Sequence, residues 1–253
     1  MITWINHNIT KVTNIFAGNN HRSFIHMHNI LLAYIQKLVM IHVNSDKLKH
    51  DKPSNDRSAL FPLHPFRALF VSMPGGGKRQ ATLELIGRHP KAFDTITVMH
   101  LDPKGTTEYE ILGDGAKMIG ENDLPDASTF DRSKRNLLIL DEINISDKKA
   151  AYKKSFDRLF NYCSTHCSLS IICQVQDAFT LPVSCRRAMN HWALWRSSDS
   201  FVTNTLGRRL GIKQLGDIFD ELELGAHDYV WVDLSGNGPK LRKNLTHVIT
   251  VNG

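Results

Sequence analysis

A short apolar run that leads into three consecutive glycines and a lysine constrains this chain more than any other segment. Residues 68–72 predict a buried parallel strand, and residues 80–86 predict a helix. The loop between them is rich in glycine and ends in a cation: Pro74, Gly75, Gly76, Gly77 and Lys78. Glycines let the backbone curve around an anion, and a helix start offers unpaired N–H groups and the positive end of its dipole. The segment predicts a phosphate cradle, with Lys78 reaching the β and γ phosphates of a nucleotide.

Two positions depart from the G-x-x-x-x-G-K-[ST] pattern of such loops. Ser72 stands at the first glycine position, which is a mild change at a bend. Arg79 stands where a hydroxyl would hold Mg²⁺, and its side chain brings a positive charge and no oxygen. We expect Arg79 to border the nucleotide, binding to be kept and hydrolysis to be slow, unless another oxygen such as that of Thr82 serves the metal. The alternative is that the glycines form only a flexible turn.

A second apolar run ends in two acids. Residues 137–140 are all apolar and predict a buried strand, and Asp141 and Glu142 follow directly. Carboxyl ends of parallel strands face the ligand-binding edge of a sheet, so both acids should lie near the phosphate cradle. Asp141 can hold Mg²⁺ through water, while Glu142 points elsewhere and can polarise the attacking water.

A third apolar run, residues 169–175, predicts another buried strand, and two amides stand at its carboxyl end, Gln174 and Gln176. Both face the same side of the strand. Gln176 is nearer the strand end, where it could sense the γ phosphate or position the water, and Gln174 is the competing candidate. A glutamine that closes the strand only through backbone hydrogen bonds is the remaining alternative.

The order of these motifs is similar to that of a known family. After the phosphate loop and the acidic strand come the pattern His166-x3-Ser170-x5-Gln176, a Leu-Pro pair and two arginines, Arg186 and Arg187. Over residues 66–251 the chain resembles the genome-packaging ATPases of large DNA viruses with internal membranes, the poxvirus-like branch of the FtsK–HerA superfamily. The histidine-serine-glutamine strand discriminates most, because the other two motifs occur in many unrelated ATPases.

The resemblance implies a role for each matched residue. Lys78 would bind phosphate, Asp141 would hold the metal, Glu142 would be the catalytic base and Gln176 the polar sensor. The implied cofactors are ATP and Mg²⁺. The implied machine is a homo-oligomeric ring that drives double-stranded DNA into a preformed capsid, with a capsid or vertex protein as partner, at the assembly site in the host cytoplasm or in the virion.

An arginine finger is a further expectation for such a ring. Arg186 or Arg187 would reach the γ phosphate of a neighbouring subunit, and the alternative is a solvated basic face. Two other functions stay open: a P-loop ATPase that assembles or remodels proteins, and a degenerate nucleotide- or DNA-binding scaffold without hydrolysis.

The predicted fold is α/β: a P-loop NTPase of the ASCE/RecA-like type, a three-layer domain with a mainly parallel sheet. Further strands are expected at residues 95–100, 191–195, 228–234 and 247–251, and an amphipathic helix at residues 147–163. We divide the 253-residue chain into an N-terminal extension with a polar linker, residues 1–64, and a P-loop ATPase domain, residues 65–253.

Charge and composition narrow the partners. The net charge of +6 favours an acidic partner such as nucleic acid. Cationic clusters that could line a DNA channel follow the third strand: Arg208, Arg209, Lys240, Arg242 and Lys243. The four cysteines lack zinc spacing and are expected to be reduced core thiols. Polar residues interrupt the apolar stretch 24–43, so no stable membrane span is expected, and the first residues lack the pattern of a secretion signal.

Overall fold

The computed structural model describes residues 61–250, apart from residues 90 and 114. The predicted N-terminal extension, most of the polar linker and the apolar stretch 24–43 lie outside this part, as do the last three residues.

Nine strands form one sheet in the described part of the chain. Their bounds are β1 Arg67–Val71, β2 Thr95–His100, β3 Ala116–Gly120, β4 Asn136–Asp141, β5 Leu169–Val175, β6 His191–Trp195, β7 Tyr229–Asp233, β8 Lys240–Lys243 and β9 His247–Ile249. Their order across the sheet is β3-β2-β4-β5-β1-β6-β7-β8-β9. The first six in this order are parallel and the last three are antiparallel. Parallel strands are covered on both faces, which explains why β1, β4 and β5 are almost wholly apolar.

The helices are α1 Lys78–Arg88, α2 Ala150–Arg158, α3 Val183–Ala188, α4 Ser200–Leu210 and α5 Leu215–Glu221. The chain continues from α2 through a π-helical turn, Leu159–Cys163, and a last turn, Ser164–His166. Asp199 caps α4, because its Oδ1 accepts hydrogen bonds from the backbone N–H groups of Phe201 and Val202.

The core lies on both faces of the sheet. One cluster joins α1, through Ala81 and Leu85, to strand residues such as Phe70 and Ile139. On the opposite face, α2, α4 and α5 cover the other set of strand side chains, with Phe156 fully buried. Helices on both faces of a mainly parallel sheet give the three-layer α/β architecture that the sequence predicts.

The strand register brings the predicted functional segments to one edge. Asp141 at the end of β4 lies opposite His100 of β2 and Gln174 of β5. Val71 at the end of β1 lies opposite Val175 of β5. The strand that carries the acids is therefore separated from the phosphate-loop strand by β5 alone, and both end at the same edge.

Most predicted elements are confirmed, with three differences. The strands β3 and β8 were not predicted, and neither were the helices α3, α4 and α5. The amphipathic helix expected from residue 147 begins at Ala150 and changes to a π-helical turn after Arg158. Trp192 and Trp195 are buried in the core.

All four cysteines lie within residues 61–250. All four cysteines are free and buried, as predicted, and burial raises the pKa of Cys163 to about 11 and of Cys185 to about 12. Such thiols are poor nucleophiles near neutral pH. No helix in these residues is long and apolar enough to cross a membrane.

Candidate functional site

The glycine loop curves tightly between β1 and α1. Gly75 and Gly77 have positive φ angles of 74° and 101°, which residues with a Cβ rarely adopt. A side chain at Gly76 would collide with Ser72. Helix α1 begins directly after Gly77, so its free N–H groups face the loop. The predicted cradle thus has the backbone shape and the helix position that phosphate binding requires.

Lys78 is held under the loop by three oxygen atoms. Its Nζ donates to the backbone oxygens of Ser72, at 3.0 Å, and Met73, at 3.4 Å. The same Nζ lies 3.0 Å from Oε1 of Glu142, which joins the first residue of α1 to the residue after β4. Lys78 is 6% exposed and Glu142 is 41% exposed. The structure thus brings together the predicted phosphate-binding lysine and the predicted base.

Glu142 has a left-handed backbone conformation, with φ 55°. A residue with a Cβ rarely adopts this region, and such outliers persist where surrounding contacts fix them. The backbone N–H of Glu142 donates to the carbonyl oxygen of Gln174 on β5 at 3.1 Å. Because of this turn, the two neighbouring carboxylates contact different partners: Glu142 contacts Lys78 and Asp141 contacts Arg79.

Arg79 is paired with the other acid. Its Nε and one terminal nitrogen lie 3.1 and 2.9 Å from Oδ2 of Asp141. Its other terminal nitrogen contacts the carboxylate of Glu108, and the guanidinium lies 5.4 Å from the centre of the Tyr109 ring. Burial alone would lower the pKa of Arg79, but the charge of Asp141 and the hydrogen bonds to it outweigh burial and raise the pKa.

A buried polar network supports Asp141 from the core side. The Tyr109 hydroxyl donates to Oδ2 of Asp141 at 3.1 Å. Gln174 Nε2 in turn donates to the Tyr109 oxygen at 2.9 Å and to Oγ1 of Thr82 at 3.1 Å. Burial, followed by the charge of Asp141, raises the pKa of Tyr109, so its hydroxyl stays protonated and remains a donor. His100 Nε2 lies 3.8 Å from the same Asp141 oxygen.

One oxygen of Asp141, Oδ2, is not free to bind magnesium in this arrangement. One carboxylate oxygen already accepts from Arg79 and Tyr109. Thr82, the alternative metal oxygen, is fully buried and bonded to Gln174. Residues 61–250 contain no group of three or more acidic, histidine or cysteine side chains that could hold a metal ion. Asp141 as a magnesium ligand stays a prediction, and the position of Arg79 argues against it.

Gln176 lies just beyond the end of β5, where it is exposed. It lines a cavity of about 110 Å³ together with Ser72, Met73, Trp195 and Arg196. This cavity is beside the phosphate loop, but Lys78 and the two acids do not line it. Gln174, the competing candidate, is the amide that contacts the network around Asp141. Which of the two amides senses a phosphate stays a prediction.

The two predicted finger arginines lie on α3, with different surroundings. Arg187 is exposed. Arg186 packs its guanidinium 5.1 Å from the centre of the Phe179 ring, and Arg209 of α4 lies at the same distance from that ring. Burial, followed by the charge of Arg209, lowers the pKa of Arg186. Its Nε and one terminal nitrogen are buried without a hydrogen-bond partner among the described residues. Arg186 is therefore a cation with donors that have no partner among residues 61–250.

The other basic clusters are only partly free. Arg208 and Arg209 end α4 and are exposed, and Lys240 on β8 is exposed as well. Lys243 lies 3.0 Å from Oδ2 of Asp228, so its charge is already paired within the chain.

Sequence reasoning missed three residues of the site. Glu108 and Tyr109 belong to the connection between β2 and β3, and no motif marks them. His227 lies before β7, and its Nδ1 is 3.4 Å from the carbonyl oxygen of Gly76 in the phosphate loop. These contacts join segments that are far apart in the chain, and no local pattern in the sequence could have revealed them.

Comparison with known proteins identifies the fold. No protein-family model matches the chain, and the search of curated proteins found no match in sequence. The solved DNA-packaging ATPase from Sulfolobus Turreted Icosahedral Virus is similar, with a TM-score of 0.52 and 10% identity over 71% of this chain and 98% of that chain. The genome packaging NTPase from Sulfolobus turreted icosahedral virus 2, in complex with ATP-gammaS, has a TM-score of 0.51 and 10% identity over 70% of this chain and 96% of that one.

At this level of identity, the likeness concerns the fold. The predicted P-loop NTPase fold is confirmed, and the solved structures that share it agree with the family resemblance found in the sequence.

Proposed function

We propose that this chain binds and hydrolyses ATP and works as a motor that packages double-stranded viral DNA into a preformed capsid. The observation that carries the proposal is the position of the buried Lys78, at the start of α1. Its Nζ lies 3.0 Å from Glu142, which follows β4, and β4 is the second strand from β1 in the sheet. A phosphate-binding cation and a candidate base are thus held at one strand edge, next to free helix N–H groups. The fold shared with viral packaging ATPases supports the same function.

The residues of the chain suggest how hydrolysis would begin. A triphosphate in the loop would accept hydrogen bonds from the N–H groups of α1 and would attract Nζ of Lys78. Lys78 would then exchange the Glu142 carboxylate for phosphate oxygen. Because Glu142 is 41% exposed, the released carboxylate can reach a water molecule and accept its proton as that water attacks the γ phosphate.

Double-stranded DNA is the proposed substrate of the motor. The net charge of +6 and the exposed Arg208 and Arg209 would attract a phosphate backbone without reading its sequence. In a homo-oligomeric ring, Arg186 would be the candidate for a finger at a subunit boundary, because two of its nitrogens have no partner among the residues that the structure describes. The DNA would pass through the ring into a capsid that supplies the vertex partner.

A second candidate is a nucleotide-binding scaffold that does not hydrolyse ATP. The contact of Arg79 with Asp141 favours this candidate, because a side chain expected to serve catalysis is occupied by a guanidinium.

Two variants test the enzyme proposal. Lys78→Ala removes a charge-assisted phosphate contact and should weaken ATP binding by about 10- to 100-fold. Glu142→Gln should bind ATP but turn it over about 10²- to 10⁴-fold more slowly. Matched controls are Lys91→Ala and Glu221→Gln, which change the same charges at exposed positions away from the site. ATP affinity and turnover are measured with and without double-stranded DNA.

The outcomes separate the candidates. Stimulation by DNA supports the motor and argues against a protein-remodelling ATPase. ATP binding without turnover, even with DNA and assembled rings, would leave the scaffold. Equal turnover in wild type and Glu142→Gln would remove Glu142 as the base, and unchanged affinity in Lys78→Ala would remove the cradle.

A further inference from the structure

Arg79 occupies the point where α1 and the acidic strand meet. It is the second residue of α1, next to Lys78, and two of its nitrogens lie 2.9 and 3.1 Å from one oxygen of Asp141. Asp141 is 2% exposed, whereas Arg79 is 30% exposed. The guanidinium therefore covers a buried carboxylate on one side and faces the open edge of the sheet on the other.

The Asp141 oxygen is already saturated with donors. It accepts two N–H groups from Arg79 and the Tyr109 hydroxyl. Tyr109 is itself fixed by Gln174, which also bonds to the buried Thr82. A metal ion bound at this oxygen would have to displace Arg79 from a network that is anchored in the core. It would also leave a cation beside a cation, at a distance where like charges repel.

Arg79 keeps donors for a ligand after these contacts. A guanidinium carries five N–H donors. Within residues 61–250, its recorded contacts use Nε and one hydrogen of a terminal nitrogen for Asp141, and one hydrogen of the other terminal nitrogen for Glu108. Two N–H groups are left. Arginine bridges carboxylate and phosphate oxygens with a fixed, planar geometry, which is the bridging task that a divalent metal performs between an acid and a nucleotide.

We propose that the Arg79 guanidinium replaces the metal ion between Asp141 and a bound phosphate, so that this site binds nucleotide independently of Mg²⁺. The proposal rests on the proposed function, because it concerns the same nucleotide site. It changes the expected ligand from a magnesium–nucleotide complex to the free nucleotide. Arg79 and Lys78, adjacent at the start of α1, together hold the phosphates. Asp141 positions Arg79 and does not coordinate a metal.

The direct test measures affinity for a non-hydrolysable ATP analogue by calorimetry, in Mg²⁺ and in EDTA. The wild-type dissociation constant should differ by less than about threefold between the two media, well below the factor expected for the loss of a charged contact. Arg79→Thr, which restores a hydroxyl and frees Asp141, should bind at least about tenfold more weakly in EDTA and recover in Mg²⁺. Arg88→Thr is the matched control, because Arg88 is also on α1 and is also paired with a carboxylate, that of Glu84.

A second readout reports on the metal itself. Mn²⁺ bound in the ternary complex is titrated by electron paramagnetic resonance in four proteins: wild type, Asp141→Asn, Arg79→Thr and the double variant. Asp141→Asn should weaken Mn²⁺ binding in the Arg79→Thr background and leave it unchanged in the wild-type background, because only the freed carboxylate can serve the metal.

The possible results distinguish a failure of the metal replacement from a failure of the ATP site. Wild-type binding that falls at least about tenfold in EDTA overturns the replacement of the metal by Arg79 and leaves the proposed ATP site standing. A loss of Mn²⁺ affinity in Asp141→Asn with Arg79 present does the same. No binding of the analogue by wild type in either medium overturns both proposals. The wild-type measurement needs no variant, so a poorly folding Arg79→Thr does not remove the test.

Discussion

Replacing Arg79 with threonine should destabilise the protein, because Asp141 would be left as a buried carboxylate without its cation. Removing one partner of a buried ion pair typically costs about 3–5 kcal/mol. Arg79 is 30% exposed and solvent screens part of the pair, and the Tyr109 hydroxyl still donates to Asp141. We therefore expect a smaller loss than that range, about 2–3 kcal/mol in the free energy of unfolding.

Thermal unfolding followed by circular dichroism, without nucleotide and with EDTA, measures this loss. For a domain of this size, each kcal/mol lowers Tm by about 2–4 °C, so Arg79→Thr should lower Tm by about 4–12 °C. Arg88→Thr breaks a surface pair between Glu84 and Arg88 and should cost no more than about 1 kcal/mol.

Adding Asp141→Asn completes a double-mutant cycle. Because the amide has no charge to bury, Arg79→Thr should cost much less when residue 141 is asparagine, and the coupling between the two sites should be about 2 kcal/mol. A coupling below about 0.5 kcal/mol, together with a Tm for Arg79→Thr equal to that of Arg88→Thr, would refute the contact from which the metal replacement is argued.

Two further predictions concern other parts of the fold. In a ring, mixing Arg186→Ala subunits with Lys78→Ala subunits should recover part of the ATP turnover, because each variant supplies what the other lacks at a shared boundary. If mixed rings assemble but turnover does not recover, Arg186 is not a finger that acts across subunits. Burial lowers the pKa of His191 to about 4, below its unfolded value of 6.5, so the stability from the neutral ring is present above pH 6.5 and is lost as the pH falls towards 4, by up to about 3 kcal/mol. Chemical denaturation measures the free energy of unfolding across this pH range. It should fall less steeply with decreasing pH in His191→Gln than in wild type or in His166→Gln, a control at an exposed position. Equal pH dependence in the three proteins would contradict the lowered pKa of His191.

The sequence predicted those parts of the site that lie on apolar, buried strands. Strands β4 and β5 are wholly buried, so their composition marks them and their ends locate Asp141 and Gln174. Strand β8 has the sequence Lys-Leu-Arg-Lys, with one buried residue, and lies near the edge of the sheet, where polar side chains are tolerated. Composition therefore could not identify it as a strand.

The partners of the site were harder to predict than its motifs. The sequence showed that Arg79 lacks the metal-binding hydroxyl, but the contact with Asp141 depends on how α1 and β4 are placed across the sheet. The same holds for Tyr109, which reaches Asp141 from the long connection after β2. The preference for Gln176 over Gln174 relied on distance from the strand end. Register adds what that reasoning lacked, because it places Gln174 directly opposite Asp141.

The two ion pairs at the start of α1 differ in how easily a phosphate can open them. Lys78 makes one contact with Glu142, which is 41% exposed, and an exposed carboxylate loses little when it returns to water. Arg79 holds Asp141 through two nitrogens, and Asp141 is 2% exposed, so separating that pair would leave a charge in the core. A phosphate should therefore displace Glu142 from Lys78 while Arg79 stays on Asp141. This asymmetry releases the residue proposed as the base and keeps a fixed cation beside the phosphates, so loss of the metal-binding hydroxyl does not by itself remove the means of hydrolysis.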